Sequence, residues 1–220
     1  MKEDVRQRID DQILWLYRSI RYPVFPIDPM TVVRKIPGCR YITYDQLAAV
    51  SGTDYQSVVK ACESIDGCTQ YEPKTGHYLI AINTSKQYGA SKARIRWTTA
   101  HELGHVSAGH FTEPEYARMN MMDPSLFYEM EEEADYFAAS FLAPIPAILT
   151  LRARKPADIR DWFGLSQIAS EYRWADMLRW TYDQRLADYF RYFRPVSDVK
   201  EAKRLSTYRM DVLADSDELI

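Results

Sequence analysis

The stretch WTTAHELGHVSAGH, residues 97–110, contains three of the four histidines in the chain. His101 and His105 are four positions apart, so on an α-helix their imidazoles project from the same face. That separation suits two corners of the tetrahedron of ligands around Zn²⁺. Glu102 is turned by about 100° around the helix axis. It is poorly placed to bind the same ion, but it can act as a general base on a water molecule beside it.

The alternative is an ordinary helix that carries two polar histidines. Outside residues 101–110 the chain has only His77, so the clustering of histidines is unusual. Gly104 inside the helix costs about 1 kcal/mol relative to alanine, which suggests that another part of the chain approaches the backbone there. We therefore predict a metal site on this helix.

Two histidines need a third protein ligand, and the spacing after His105 does not supply it. The metzincin pattern would require a glycine at position 108 and a ligand at position 111. The sequence has Ala108 and Phe111 there, with Gly109 and His110 out of register by one residue. The spacing excludes that subclass, and we predict that His110 is a surface residue rather than a ligand.

A second helix, predicted over residues 126–142, offers a glutamate in the segment EMEEEAD. Helix phase places Glu131 on the small and apolar side of this helix, which favours it as the third ligand. Glu133 is the main rival, and Glu132 is expected on a solvated face. Asp135 follows Glu131 by one turn and can bond the ring N–H of a histidine ligand.

The rest of the sequence predicts a mixed α+β fold in one compact unit. We divide the chain into a helical N-terminal region (1–70), a catalytic core (71–150) and a C-terminal helical region (151–220). The elements expected outside the two site helices (91–108 and 126–142) are a helix over 3–20, a short helix near 30–36, two helices within 44–64, a hairpin around the PKTG turn at 73–76, a loop over 111–127, and helices through 158–180 and 181–195.

Composition and charge narrow the class of protein. The formal charge of −3 and a pI near 5.9 give no reason to expect a nucleic-acid or anionic-membrane surface. The opening MKEDVRQRID does not resemble a signal peptide, and no stretch approaches the roughly 18 to 20 apolar residues of a membrane span. Cys39, Cys62 and Cys68 are odd in number and form no CxxC pair, which is typical of reduced thiols. We expect a cytoplasmic protein.

The two helices predicted within residues 44–64 could form a DNA-binding helix-turn-helix. Residues 41–70, however, contain one lysine, no arginine and four carboxylates. An element that must neutralise phosphates would not be acidic. The sequence favours a packed helical pair and no direct contact with nucleic acid.

Taken together, the motifs resemble those of the ImmA/IrrE-type metallopeptidases of bacteria and their mobile elements. The resemblance covers roughly residues 75–180, and the order and spacing of its motifs make it specific. It rests on YLIAIN (78–83), RIRWTTAHELGHVSAGH (94–110), EEEADYFAASFLAP (131–144) and, more weakly, WFGLSQIASEYRW (162–174).

The resemblance implies a zincin-like fold, one Zn²⁺ and cleavage of a protein substrate, in the best-understood members a helix-turn-helix repressor. It implies that His101, His105 and Glu131 bind the metal and that Glu102 is the catalytic glutamate. Asp135 stands where the family commonly has asparagine, and Ala143 where it often has methionine. Neither departure removes a metal ligand.

These residues predict a zinc metalloendopeptidase that acts on such a repressor and has no membrane partner. If the YLIAINTS strand lies at the sheet edge, Ile80, Ala81, Ile82 and Asn83 would bind the substrate through backbone hydrogen bonds. The alternative function is a non-catalytic regulatory protein that sequesters a repressor or an antitoxin-like partner. An open coordination position disfavours that alternative, because structural zinc usually has four protein ligands.

Overall fold

The computed structural model describes residues 1–19, 25–112 and 124–179 of the chain. These residues form a small sheet surrounded by helices, which is the α+β class expected from the sequence. In chain order the elements are α1 (Glu3–Ser19), α2 (Pro29–Val33), β1 (Cys39–Thr43), α3 (Tyr44–Ser51), α4 (Tyr55–Cys62), β2 (Gly67–Glu72), β3 (His77–Ile82), a 3₁₀ turn (Lys86–Tyr88), α5 (Lys92–Ala108), α6 (Pro124–Leu142), α7 (Ile145–Thr150), α8 (Pro156–Phe163) and α9 (Gln167–Arg179).

The sheet has the strand order β1-β3-β2. β2 and β3 form the predicted antiparallel hairpin, in which Glu72 pairs with His77 across the PKTG turn. The last residue of that turn, Gly76, has a φ of +69°, a conformation that favours glycine. β1 runs parallel to β3, with Cys39 opposite Tyr78. No strand is expected at residues 39–43 from the sequence, so β1 is an addition to the predicted fold.

The edge position on which substrate binding by residues 80–83 depended is not found. β3 pairs with β1 on one side and with β2 on the other, so its backbone groups serve the sheet. Ile80, Ala81, Ile82 and Asn83 are at most 2% exposed. These four residues are therefore not available to bind an extended substrate. The edge strand on the hairpin side is β2.

The first site helix, α5, begins and ends at its capping residues. The Ser91 hydroxyl accepts a hydrogen bond from the Arg94 backbone N–H and caps α5, and Gly109 ends it at a φ of +72°. α6 starts at Pro124, two residues before the predicted start, because proline is well tolerated at the first helical position. Residues 124 and 125, predicted as loop, are therefore helical, and residues 113–123 of that predicted loop lie outside the described part of the chain.

The main hydrophobic core lies between the sheet and the helices that pack on it. Tyr17 of α1, Ile80 of β3, Leu103 of α5, Phe141 of α6 and Phe163 of α8 are all fully buried in it. The Tyr17 hydroxyl donates a hydrogen bond to the Phe141 carbonyl, which fastens α1 to α6. All three predicted parts of the chain thus contribute to one core, against which the site helices are held.

The helical pair α3 and α4 packs on the sheet through a smaller cluster. Tyr44, Ala48 and Val58 are buried against Ala81 of β3. This agrees with the interpretation of residues 44–64 as a packed helical pair. The left-handed Gly52 ends α3 and separates it from α4.

The C-terminal part is more divided than the sequence suggests. Gly164, at a φ of +64°, separates α8 from α9 within the segment 158–180. The helix predicted over 181–195 lies outside the described residues. No helix within the described ranges combines the length and apolar character needed to cross a membrane.

Candidate metal centre and active site

The donor atoms of His101, His105 and Glu131 meet where α5 packs on α6. The two Nε2 atoms of the histidines are 3.1 Å apart. Glu131 Oε2 is 3.4 Å from His101 Nε2, and Glu131 Oε1 is 3.4 Å from His105 Nε2. The structure therefore brings together the three residues that the sequence analysis singles out as ligands.

These distances fit a metal ion. Donor atoms that lie 2.0–2.2 Å from Zn²⁺ at the corners of a tetrahedron are about 3.3 to 3.6 Å apart. The three observed separations of 3.1, 3.4 and 3.4 Å are close to that range. Two imidazoles and one carboxylate also form a donor set that such an ion prefers. Among the described residues, this is the cluster of His, Cys, Asp and Glu side chains that could hold a metal.

Asp135 orients the first histidine. Its Oδ1 is 2.9 Å from His101 Nδ1, so the opposite ring nitrogen, Nε2, faces the cluster. Burial lowers the pKa of His101, but hydrogen bonds to Asp135 and Glu131 outweigh it and raise the pKa to about 10. Hydrogen bonds to His101 and His105 in turn lower the pKa of Glu131. The cluster thus binds protons tightly, and a metal ion would compete for the same donor atoms.

The other two glutamates of EEE are engaged elsewhere. Glu133 Oε2 pairs with an Arg8 guanidinium nitrogen at 2.6 Å. Glu132 Oε1 pairs with the N-terminal amine of Met1 at 3.0 Å and is mostly exposed. Helix phase therefore selected the glutamate that the structure places beside the histidines, and Glu132 lies on the solvated face as predicted.

Glu102 lies buried beside the cluster at 7% exposure. Its Oε2 accepts a hydrogen bond of 2.7 Å from the Thr69 hydroxyl of β2. Burial raises the pKa of Glu102, while the charges of His105 and His101 and the bond from Thr69 act in the opposite direction. A buried carboxyl with a raised pKa is suited to accept and return a proton near neutral pH. No sequence motif points to Thr69, because only the packing of β2 on α5 brings it to Glu102.

The site opens into a cleft of about 640 Å³. One wall is formed by β2 and the end of α4, and the other by α5 and α6. Cys62 and Cys68 lie in the first wall and share a hydrogen bond. Both are free thiols, as is Cys39, in agreement with the prediction of reduced cysteines.

The prediction that His110 lies at the surface is wrong. His110 is only 6% exposed, and its Nδ1 is 2.8 Å from Nδ1 of His105. The left-handed turn at Gly109 folds the chain back, so that the His110 backbone N–H donates to the His105 carbonyl at 3.0 Å. His110 lies behind His105, away from the nitrogen that faces Glu131.

A comparison with known families agrees with this geometry. Residues 64–175, just over half of the chain, match the Peptidase_M78 family, described as the IrrE N-terminal-like domain. The chain belongs to this family. Its match runs from the turn before β2 into α9 and includes the whole cluster and Glu102. As a member of Peptidase_M78, the protein has a function of the metallopeptidase type. No curated protein matches the chain.

Proposed function

We propose that this Peptidase_M78 member is a zinc-dependent endopeptidase that cleaves a peptide bond in a helix-turn-helix transcriptional repressor of a phage, mobile element or stress response. The observation that carries the proposal is the convergence of three metal-binding side chains beside a buried glutamate in an open cleft. His101, His105 and Glu131 would hold the ion. When bound, zinc supplies Lewis-acid chemistry, which polarises a carbonyl group and makes water a better nucleophile.

Glu102 handles the protons of the reaction. Its carboxylate takes a proton from the attacking water and delivers it to the nitrogen of the leaving amine, which is general base followed by general acid catalysis. The Thr69 hydroxyl donates to Oε2, so Oε1 would be the oxygen that takes the proton. Because Glu102 is buried, little bulk water competes for this proton.

β2 is the strand that would hold the substrate. The Asn83 N–H donates to the Asp66 carbonyl at 2.8 Å. In an antiparallel pair every second residue is hydrogen-bonded to the partner strand, so this bond fixes which residues of β2 bond to β3. Residues 68, 70 and 72 then face β3, while Thr69 and Tyr71 turn their backbone groups toward the open edge. An extended peptide can pair with these groups by strand addition. This assignment replaces the one made for residues 80–83.

The repressor as substrate is supported by two observations. The HELGH and EEEAD motifs resemble those of peptidases that act on such regulators, and the family match covers both motifs. The lining of the cleft includes Gly67–Gln70 of β2 together with the metal-binding side chains, so a peptide paired with β2 would pass the cluster. Strand addition requires an extended segment, so the cleaved bond is expected in a linker of the repressor rather than within a helix.

Co-expression tests the substrate directly. The protein is produced together with the helix-turn-helix regulator encoded beside it, and the intact mass of the regulator is measured. We expect two fragments whose masses sum to that of the regulator plus one water. Purified protein should reproduce the cut with zinc and lose it with a chelator. An uncut regulator whose activity is nevertheless blocked would contradict the proposal and favour sequestration.

A further inference from the structure

Behind His105 lies a line of contacts that leads from the candidate metal centre to the surface. His105 Nδ1 is 2.8 Å from His110 Nδ1. His110 Nε2 is 3.3 Å from Glu133 Oε2, and the same oxygen is 2.6 Å from Arg8. We call these residues, His110, Glu133 and Arg8, the supporting chain.

The chemistry of the centre fixes the protons along this chain. His105 can donate electrons to a metal through Nε2 only if its proton is on Nδ1. Its Nδ1–H then donates to Nδ1 of His110, which must carry no proton there. The proton of His110 is consequently on Nε2, where it donates to Glu133. Every donor in this arrangement then meets an acceptor, and Glu133 Oε2 accepts from both His110 and Arg8.

We propose that His110 is a positioning residue that fixes the ring orientation and tautomer of His105 for metal binding, and that Glu133 and Arg8 hold His110 in place. The inference rests on the proposed metal site and deepens it. Asp135 plays the corresponding part for His101, with its Oδ1 2.9 Å from His101 Nδ1. Each histidine ligand would thus have its own supporting acceptor.

The burial of His110 argues against a role in packing alone. His110 is 6% exposed, and a buried imidazole is costly unless both ring nitrogens are satisfied. An apolar side chain would fill the same space at lower cost. Arg8 belongs to α1, outside the matched residues 64–175, so the N-terminal helix of this chain would influence the affinity of the centre.

Zinc affinity, measured by competition with a chromophoric chelator, separates the roles. His110→Leu keeps the volume but removes the acceptor, and we expect an affinity loss of about 10- to 100-fold. His110→Asn keeps an acceptor near the position of Nδ1 and should stay within about fivefold of the natural protein. Glu133→Leu should lose about two- to fivefold, whereas Glu132→Leu, which removes an equal charge one residue away, should lose nothing.

The absorption spectrum of the Co²⁺-substituted protein gives a second measurement, because it reports the geometry of the ligands. We expect His110→Leu to change the visible bands and His110→Asn to preserve them. Equal zinc affinity and equal spectra for the natural protein and His110→Leu would overturn the inference. A natural protein that binds no zinc would instead overturn the proposed function. Unfolding curves of the metal-free variants identify any variant that fails to fold, in which case the Glu133→Leu and Glu132→Leu pair decides.

Discussion

Gly104 of α5 lies directly against the backbone of Ala134 on α6. A Cβ atom built on Gly104 would be 3.1 Å from Ala134 Cα and 3.2 Å from the Ala134 carbonyl oxygen. At the residue before the second histidine ligand, the two site helices are therefore too close to leave room for a side chain without a shift of the neighbouring atoms. This contact brings Glu131, one turn earlier on α6, to His101 and His105.

Replacement of Gly104 by alanine tests this packing. In an exposed helix the change would stabilise the protein by about 1 kcal/mol. Here the methyl group meets backbone that cannot rotate away, so we expect Gly104→Ala to lower the free energy of unfolding by about 1 to 3 kcal/mol. Urea denaturation measures the change, with Ser107→Ala on the same helix as a control expected within about 0.5 kcal/mol of the natural protein. A stabilised Gly104→Ala variant would contradict the close approach.

Glu131 and Glu132 are adjacent, but only Glu131 faces the histidines. We expect Glu131→Ala to lower zinc affinity more than about 100-fold, because it removes a ligand rather than a supporting contact. Glu132→Ala removes the same charge from the exposed face and should leave the affinity unchanged. Isothermal titration with zinc measures both. Similar losses in the two variants would mean that net charge, and not coordination, determines binding.

Thr69 holds the carboxylate of Glu102 by a 2.7 Å hydrogen bond. Thr69→Val keeps the shape of the side chain and removes the donor, and hydrogen bonds to charged groups contribute about 1.5 to 3 kcal/mol. We expect kcat to fall about tenfold or more, with little change in KM. Thr99→Val is the control, because its hydroxyl donates to the Ile95 carbonyl within α5. A Thr69→Val enzyme with normal kcat would show that Glu102 needs no such support.

The thiol pair in the cleft wall predicts a pH dependence of alkylation. The hydrogen bond from Cys68 lowers the pKa of Cys62 to about 7 although burial raises it, while burial raises the pKa of Cys39 to about 11. The thiolate is the reactive form, so labelling of Cys62 by iodoacetamide should increase as the pH rises through 7, before Cys39 is labelled. Peptide mass spectrometry follows each site.

Removal of the hydrogen-bond donor provides the control for this experiment. In Cys68→Ala the labelling midpoint of Cys62 should move up toward or above the ordinary thiol value of about 8.5. Labelling of Cys39 ahead of Cys62, or a midpoint unchanged in Cys68→Ala, would contradict the assignment.

Features that depend on local periodicity were predictable from the sequence. The three- and four-residue spacing of apolar side chains predicts α1, and the caps Ser91 and Gly109 set the ends of α5. Helix phase alone points to Glu131, because the side of α6 that carries it also carries buried residues such as Ala134 and Ala138. The order of side chains around one helix is a short-range property that the sequence contains directly.

Features that depend on long-range pairing were not predictable in this way. β1 has five residues of mixed burial, and its partner β3 begins more than thirty residues later. Without β1, β3 is mistaken for an edge strand. Thr69 reaches Glu102 only because β2 packs on α5, and His110 is buried only because the chain reverses at Gly109. No pattern within a single segment carries that information.

The central claim is that a metal held by His101, His105 and Glu131 works with Glu102 to hydrolyse a peptide bond. Glu102→Gln keeps the size of the side chain and removes the base, and Glu102 itself is not among the three clustered donors. The most direct measurement is the rate of repressor cleavage by this variant, with its zinc content determined in the same sample. We expect one zinc per chain, as in the natural protein, and cleavage reduced at least about 100-fold. A zinc-loaded Glu102→Gln protein that cleaves at the natural rate would contradict the account.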